Sequence, residues 1–398
     1  MTRKFFALML VLIPLSIGSA HAEFVLSPLS TFGTNGFLSS GQSFLGTANN
    51  ARGLAYNSAT DRLYVPNRNA VPSSPNVQIL DGSTGAAPSI GPTALNVAGV
   101  TGGAFAVNHL DLADDGTIYL GNLSTSVGTA DTNVYKIYRW AAGNESAAPT
   151  LAFSNIIPSV LGTRLGDTFA VTGSAASTRI VAAGGTASNQ SVLFTTANGT
   201  DFSTTGPNTV VGAANGQLRL GIDFVDTSSF IAKANTAFFS LANVNGSNLL
   251  SLTSTNSTIL AAEGPMAFYA PDNLLASIEA STTASGTIGN LVKLYKYDPS
   301  VVGGARLTLL SSLNLTGTGS GSTPGGLLTT ANGNASGDLA FGLTSGGDLR
   351  LYAMSTNNGI QAFRITVVPE PSSIALVALC VVGIAARRRQ FANRKQVS

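Results

Sequence analysis

One pattern decides the fold, and its clearest copy is LDLADDGTIYL (residues 110–120), followed by NVYKIYRW (residues 133–140). Within it, Leu110–Ala113 and Thr117–Leu120 alternate apolar and polar side chains, which is typical of β-strands. Asp114–Gly116 between them has the composition of a tight turn, because Asp bonds its own backbone and Gly accepts a positive φ. The stretch predicts short antiparallel strands joined by tight turns.

Looser copies of this order recur along the chain at intervals of roughly 45 to 70 residues. The six copies start at Gly53–Tyr56, Leu110–Ala113, Asp167–Val171, Leu220–Val225, Met266–Ala270 and Ser336–Leu343. A period in this range, with about four strands per unit, is what propeller blades have. We therefore predict an all-β propeller of six or seven blades, with the first strands after the N-terminus completing the last blade. The alternatives are a right-handed β-helix or stacked β-sandwiches.

The composition agrees with many short strands. Charged residues make up only 10% of the chain, and there are 44 glycines, which suits strands and turns better than helices. The best copies resemble the repeats of extracellular propellers that end in an Asp/Asn-Gly turn. This resemblance carries no site residues.

The C-terminus has three consecutive parts. Pro369-Glu370-Pro371 is followed by an uncharged run, Ser372–Ala386, and then by Arg387-Arg388-Arg389. At about 1.5 Å per residue the run makes a short transmembrane helix, and the arginines predict its cytoplasmic end. A buried C-terminal helix of a globular domain is the alternative.

Pro369-Glu370-Pro371, a short hydrophobic helix and a basic end resemble the PEP-CTERM sorting signal of Gram-negative bacteria. The resemblance covers about thirty of the 398 residues. It implies processing near the Pro-Glu-Pro motif by an exosortase, a membrane cysteine protease. It also implies export, in species that make exopolysaccharide.

The N-terminus predicts export as well. Arg3 and Lys4 precede the apolar stretch Phe5–Ile17, and Ala20 and Ala22 form an A-x-A cleavage site. We predict a signal helix, residues 1–22, that directs the chain to the Sec export machinery and is then cleaved off after Ala22. The expected domains are then residues 1–22, an extracellular propeller at 23–367 and the sorting signal at 368–398.

The chain has a net charge of +2, and its excess of basic residues lies in these two targeting ends. The segment 23–368 holds 14 basic and 18 acidic residues, a net charge of −4. Such a segment does not resemble the basic face of a nucleic-acid-binding protein, so no nucleic acid is expected as a partner. The single cysteine, Cys380, lies in the C-terminal apolar run. The exported part therefore forms no disulfide and must depend on a large core.

Histidine and cysteine are too few for most catalytic or metal sites. His109 is the one histidine left after signal cleavage, so a Ser-His-Asp triad would have to use it; a structural histidine is the simpler interpretation. Transition-metal sites need several such ligands, and we predict no metal and no cofactor. Asp111, Asp114 and Asp115 fit a turn between strands better than a calcium loop, which alternates its acids and ends in Glu.

Two further kinds of side chain could carry function. Acids around Asp223, Asp226 or Glu263 could pair in a hydrolase, although their spacing alone identifies no pair, and we predict no catalytic residue. Aromatic residues could stack on sugars, although strand alternation also places such rings in the core. The two aromatic clusters are Tyr135, Tyr138 and Trp140, and Tyr295 and Tyr297.

Together these features predict an exported cell-surface or extracellular-matrix protein. Its expected partners are an exosortase-like protease, the inner membrane before processing, and exopolysaccharide. A non-enzymatic binding or structural role is the leading hypothesis. The alternative is an extracellular propeller enzyme that cleaves polysaccharide with paired carboxylates.

Overall fold

The computed structural model describes residues 23–68, 76–125, 133–157, 164–247, 249–280, 285–315, 327–328 and 331–368. Two compact units are distinguished, and Val25–Thr366 is the larger. The smaller joins Met1–Phe24 to Val367–Ser398, of which four residues are described. The predicted signal helix, the Pro-Glu-Pro motif, the C-terminal helix and the arginine triplet all lie outside the described residues.

The described chain is built almost entirely of short strands. In chain order they are β1 (Glu23–Pro28), β2 (Phe37–Leu38), β3 (Ala55–Asn57), β4 (Arg62–Asn67), β5 (Asn76–Asp81), β6 (Phe105–Leu112), β7 (Ile118–Thr125), β8 (Val134–Trp140), β9 (Thr150–Ile156), β10 (Arg164–Leu165), β11 (Thr168–Thr172), β12 (Arg179–Ala183), β13 (Gln190–Thr196), β14 (Phe202–Thr209), β15 (Gly221–Asp226), β16 (Ser229–Lys233), β17 (Phe239–Asn243), β18 (Leu250–Leu252), β19 (Glu263–Tyr269), β20 (Leu274–Glu279), β21 (Ser285–Gly289), β22 (Val292–Tyr297), β23 (Leu307–Leu313), β24 (Leu327–Leu328), β25 (Gly337–Leu343), β26 (Leu349–Ser355) and β27 (Gly359–Val368). Two 3-10 helices, Ala175–Ser177 and Ala270–Asp272, are described beside them. No described helix is both long and apolar enough to cross a membrane.

Six antiparallel sheets form the blades of a propeller. They are β3-β4-β5, β6-β7-β8-β9, β11-β12-β13-β14, β15-β16-β17-β18, β19-β20-β22-β23 and β25-β26-β27-β1, numbered blades 1 to 6. The first strand of each of the six predicted repeats overlaps the innermost strand of one blade. In blade order these strands are β3, β6, β11, β15, β19 and β25. The predicted propeller is confirmed, and of the two predicted blade numbers six is correct.

The innermost strands form a closed ring. Neighbouring pairs around it are β3 with β6, β6 with β11, β11 with β15, β15 with β19, β19 with β25, and β25 with β3. The ring closes through the chain's own beginning, since β1 pairs with β27 at the outer edge of blade 6. This is the predicted completion of the last blade by an N-terminal strand.

The turn in the deciding stretch has the expected chemistry. The N–H of Ala113 donates to the carbonyl of Thr117 at 2.9 Å, and Oδ1 of Asp115 accepts the N–H of Thr117 at 2.9 Å. Gly116 has a φ of +80°, which a residue with a Cβ rarely adopts. The turn sets the register that pairs Leu112 with Ile118.

The core lies between successive blades. Between blades 1 and 2, for example, Tyr64 and Ile79 pack in one cluster with Leu120 and Trp140. Each of these side chains is at most 2% exposed. Burying a large apolar side chain contributes about 1.5–3 kcal/mol, so these contacts hold the ring closed without disulfides.

Candidate functional site

A polar cavity of about 460 Å³ lies at the end of the central channel where the innermost strands finish. Its lining runs from residues near the starts of β3, β15 and β25, namely Leu54, Ile222 and Asp338, to turns such as Asp114–Gly116. Asp111 of blade 2, Asp223 of blade 4 and Asp338 of blade 6 all reach it. We call this cavity the aspartate funnel.

The three aspartates share one bonding pattern. In Asp111, Oδ1 accepts the N–H of Leu112 at 2.8 Å, and Oδ2 accepts the N–H of Val171 on the next blade at 2.7 Å. Asp223 repeats this with Phe224 at 2.7 Å and Phe268 at 2.6 Å. The pattern ties blade 2 to blade 3 and blade 4 to blade 5.

Asp338 completes the series. Its Oδ1 accepts the N–H of Leu339 at 3.0 Å, and its Oδ2 accepts the N–H of Leu54, just before β3, at 2.9 Å. Blade 6 is thereby tied to blade 1, across the point where the ring closes. All six carboxylate oxygens of the trio thus accept a backbone N–H.

Shared burial shifts the three carboxyl groups in the same direction. Burial raises the pKa of Asp223 to about 7, and the charge of Asp338 adds to the effect. Burial, then the charge of Asp223, raises the pKa of Asp111 well above its usual range. Burial also raises the pKa of Asp338, while His109 opposes the shift. The three carboxyl groups thus line one cavity, and the charges of Asp223 and Asp338 raise the pKa of a neighbouring aspartate.

His109, the candidate for a triad, lies beside the funnel. Its Nδ1 is 3.7 Å from Oδ2 of Asp338, and the residue is 7% exposed. The described structure gives His109 this acidic neighbour and no bond to a serine. It therefore has the geometry of a buried structural histidine.

The other acids considered from sequence have separate roles. Asp226 accepts the N–H and hydroxyl of Ser228 in an exposed turn. Glu263 is fully buried, where it accepts bonds from Lys293 at 2.6 Å and Tyr295 at 2.9 Å. The structure brings Asp223 into a cavity but separates it from these two acids.

The turn acids Asp114 and Asp115 line the funnel as part of the turn between β6 and β7. Among the residues that the structure describes, no group of three or more His, Cys, Asp or Glu side chains could hold a metal ion. Bonding within the turn, as for Oδ1 of Asp115, accounts for their position.

The predicted aromatic clusters lie in the core, as strand alternation favoured, and the alternative of a sugar platform at these rings does not hold. Tyr135, Tyr138, Trp140, Tyr295 and Tyr297 are at most 5% exposed, because strand alternation points them between the blades. A different pair, half-exposed at the wall of the funnel, was missed. Tyr269 and Phe341 have ring centroids 5.6 Å apart and planes inclined by 32°.

Two sequence signals could have identified the missed residues. The innermost strands of blades 2, 4 and 6 each carry Asp before an apolar residue, as in Asp111-Leu112, Asp223-Phe224 and Asp338-Leu339. Tyr269 and Phe341 stand at or near the ends of β19 and β25. Both signals appear only once the blades are aligned.

Comparison with known proteins gives one family match. Residues 367–389 match the PEP-CTERM protein-sorting motif. No relative was found among proteins of curated function.

Several solved structures are similar over most of the chain. A DUF4623 family protein from Bacteroides eggerthii has 18% identity and a TM-score of 0.58, over 80% of this chain and 72% of that one. A protein of unknown function from Bacteroides thetaiotaomicron has 12% identity and a TM-score of 0.49, over 87% and 77%. The WD40 β-propeller domain of Doa1 has 13% identity and a TM-score of 0.43, over 79% and 78%. At these identities the similarity concerns the fold alone.

The motif at residues 367–389 is the one predicted from Pro369-Glu370-Pro371 and the basic end, and it implies processing by an exosortase. The chain is therefore an exported, cell-surface-sorted protein that carries a C-terminal PEP-CTERM motif and a six-bladed β-propeller.

Proposed function

We propose that the propeller is a non-enzymatic surface protein that binds a neutral, hydroxyl-rich extracellular saccharide in the aspartate funnel. The observation that carries the proposal is a 460 Å³ polar cavity with the half-exposed rings of Tyr269 and Phe341 at its wall. Cavities of this size accommodate small ligands, and flat rings pack against the apolar faces of sugars.

The charge of the funnel selects the class of sugar. Asp111, Asp223, Asp338, Asp114 and Asp115 all line it. A sugar acid would face the oxygens of these acidic side chains there, whereas hydroxyl groups can donate to their lone pairs that remain free. A neutral chain of the matrix is therefore the best fit.

The bonding of the trio argues against the alternative of a polysaccharide-cleaving enzyme. A hydrolase needs two carboxyl groups whose surroundings push their pKa values apart. Here all three have the same type of bonds, and burial raises all three pKa values. A raised pKa, which all three aspartates have, is the feature of the trio that would suit a general acid.

Binding can be tested on the full-length chain in mild detergent, by affinity electrophoresis and calorimetry with dextran, cello-oligosaccharides and chito-oligosaccharides. We expect binding that Tyr269→Ala weakens by about five- to tenfold, because a lost ring contact is worth about 1–1.4 kcal/mol. Val302→Ala, at a side chain that is 95% exposed, is the control and should change nothing.

Two results would contradict the proposal. The first is an absence of binding to all three glycans, or binding that Tyr269→Ala leaves unchanged. The second is release of new reducing ends that Asp223→Asn abolishes, which would instead establish the enzyme.

Sorting needs a separate test. Changing Pro369, Glu370 and Pro371 to alanine should leave the full-length protein in the inner membrane, because the exosortase would no longer recognise it. Membrane fractionation and blotting would measure this. Normal processing and release of the triple variant would rule out the motif as the sorting signal.

A further inference from the structure

Four arginines converge at the opposite end of the channel from the aspartate funnel, the end at which the innermost strands begin. Arg52, Arg164 and Arg219 each lie within four residues of the start of β3, β11 and β15, and Arg68 directly follows β4. In a propeller these positions share one face, because each innermost strand runs in the same direction. We call this group the arginine mouth.

Backbone shape brings the mouth together. Gly166, between Arg164 and β11, has a φ of +101°, and a Cβ there would lie 2.3 Å from the carbonyl oxygen of Asn122. Asn108 of β6 donates to the carbonyl of Gly166 and accepts from Nε of Arg68. This chain of contacts fixes Arg68 against blades 2 and 3.

The protein leaves most donors of the mouth unused. A guanidinium group has five N–H donors. Within the part of the chain that the structure describes, each of the four arginines has one hydrogen bond to protein. The bonds run from Arg52 to Asn49, Arg68 to Asn108, Arg164 to Asp167 and Arg219 to Asn334.

Arg68 is the member of the arginine mouth with a buried donor that has no acceptor. It is 6% exposed, and its Nη2 is buried without a hydrogen-bond partner. Its guanidinium lies 4.8 Å from the ring centroid of Phe105, a contact that offers charge stabilisation but no acceptor. Leaving a buried charged donor unsatisfied costs a few kcal/mol.

The charge at the mouth is also unbalanced. Asp167 is the acidic neighbour of Arg52 and Arg68, and it already accepts from Arg164 at 2.6 Å and from the N–H of Gly185 at 2.9 Å. Burial, then the charge of Arg52, lowers the pKa of Arg68 to about 8. The group is therefore still mostly charged at neutral pH.

Among the described residues, several buried or half-buried cations have a carboxylate of their own or a full set of acceptors, although Nε of Arg350 is also buried without a partner. Lys293 pairs with Glu263 at 2.6 Å, and Lys233 donates to three backbone carbonyls. Arg62 pairs with Glu145 at 2.9 Å. The arginine mouth differs because several cations share one carboxylate.

We propose that the arginine mouth is a binding site for one oxyanion group, a carboxylate or a phosphate, presented by a small molecule or by a glycan chain. The planar fork of arginine matches both groups and can bond each of them through two parallel N–H donors. The bound anion supplies the acceptor that Nη2 of Arg68 lacks and balances the excess positive charge.

The site is tested with the full-length chain and two probes, D-glucuronate and inorganic phosphate, against sodium chloride at the same ionic strength. Calorimetry should detect saturable binding, and the melting temperature should rise with the anion, because a ligand that binds only the folded state stabilises it. Tighter binding of glucuronate identifies a carboxylate as the ligand group; tighter binding of phosphate identifies a phosphate. The absence of both effects with both probes would overturn the proposal.

Variants locate the binding. Arg68→Met should weaken it by at least about tenfold, because a charge-assisted hydrogen bond is lost. Arg364→Met is the matched control, since Arg364 is exposed and forms a surface pair with Asp348. Equal anion binding by the Arg68→Met variant and the wild type would refute the assignment.

Two further variants keep the test decisive. If the Arg68→Met variant does not fold, Arg164→Gln at a side chain that is 37% exposed should give the same loss of binding. Tyr269→Ala in the aspartate funnel should leave anion binding unchanged, so failure of the saccharide proposal and failure of this one can be told apart.

Discussion

The aspartate funnel and the arginine mouth bury opposite charges at the two ends of one channel. In the funnel the chain itself supplies donors to every carboxylate oxygen of Asp111, Asp223 and Asp338. At the mouth it leaves Nη2 of Arg68 without an acceptor. The carboxyl groups of the funnel hold neighbouring blades together through backbone N–H donors, whereas a buried donor that lacks an acceptor is a candidate for binding.

The largest expected effect comes from removing a carboxylate from the funnel. Asp223→Ala should lower the free energy of unfolding by about 3 kcal/mol, because the N–H groups of Phe224 and Phe268 lose their acceptor inside the channel. Urea unfolding of the full-length chain measures the loss. Asp226→Ala on the same strand removes only a turn contact to Ser228 and should cost about 1 kcal/mol or less. Equal losses would mean that the trio does not tie the blades together.

The next prediction contrasts an arginine that forms an ion pair, Arg350, with one that bonds only an amide side chain, Arg68. Arg350 bonds Asp61 at 2.9 Å and is 7% exposed. In chloride buffer Arg350→Met should destabilise the protein by about 2–3 kcal/mol, because the charge of Asp61 loses its partner. Arg68→Met should cost less than about 1 kcal/mol or raise stability, since it removes the unsatisfied Nη2 together with only one bond, from Nε to Asn108. A greater loss at Arg68 than at Arg350 would break the comparison.

A third prediction concerns pH. Burial holds the pKa of Asp223 at about 7 in the folded state, against an ordinary value of 3.8. The folded protein therefore binds a proton that the unfolded chain releases, and this contribution to stability is complete below pH 3.8 and lost as the pH rises through 7. Asp223→Asn should flatten the stability profile between pH 4 and 7. Thermal melts across that range check it, and an unchanged slope would argue against the raised pKa.

The smallest effect is expected at an exposed ion pair. Arg364 and Asp348 are 3.4 Å apart, and each side chain is nearly half exposed. Arg364→Met should change the free energy of unfolding by less than about 0.5 kcal/mol, because water already screens the pair. A loss of 2 kcal/mol in urea unfolding would show that exposed pairs matter more here than burial predicts.

Much of the fold could be predicted because its signals are local. The stretch from Leu110 to Leu120 specifies two strands and a turn through neighbours in the chain, and each repeat does the same. Strand alternation also predicted where most strands of the blades lie. It could not say which alternate face is solvated, so the rings of Tyr138 and Tyr297 were considered for sugar binding although they lie in the core.

The candidate sites could be predicted only in part. Asp111 and Asp223 stood out as acids, but Asp338 did not, because its partner Leu54 lies 284 residues away in the chain. Glu263 was a candidate acid for catalysis, but folding places it against Lys293 and Tyr295. Such pairings form only when the chain folds, because they join residues far apart in the sequence. The spacing of neighbouring residues therefore does not predict them.

By itself the sequence determined the strand repeat and the C-terminal sorting motif. Turn chemistry and alternation act between residues a few positions apart, and the motif at residues 367–389 is a linear pattern. Only the tertiary structure decided the number of blades and the placement of charge. Closing the ring brings residues from alternate blades into one channel, and there burial, rather than residue type, decides which charges are satisfied and which can bind a partner.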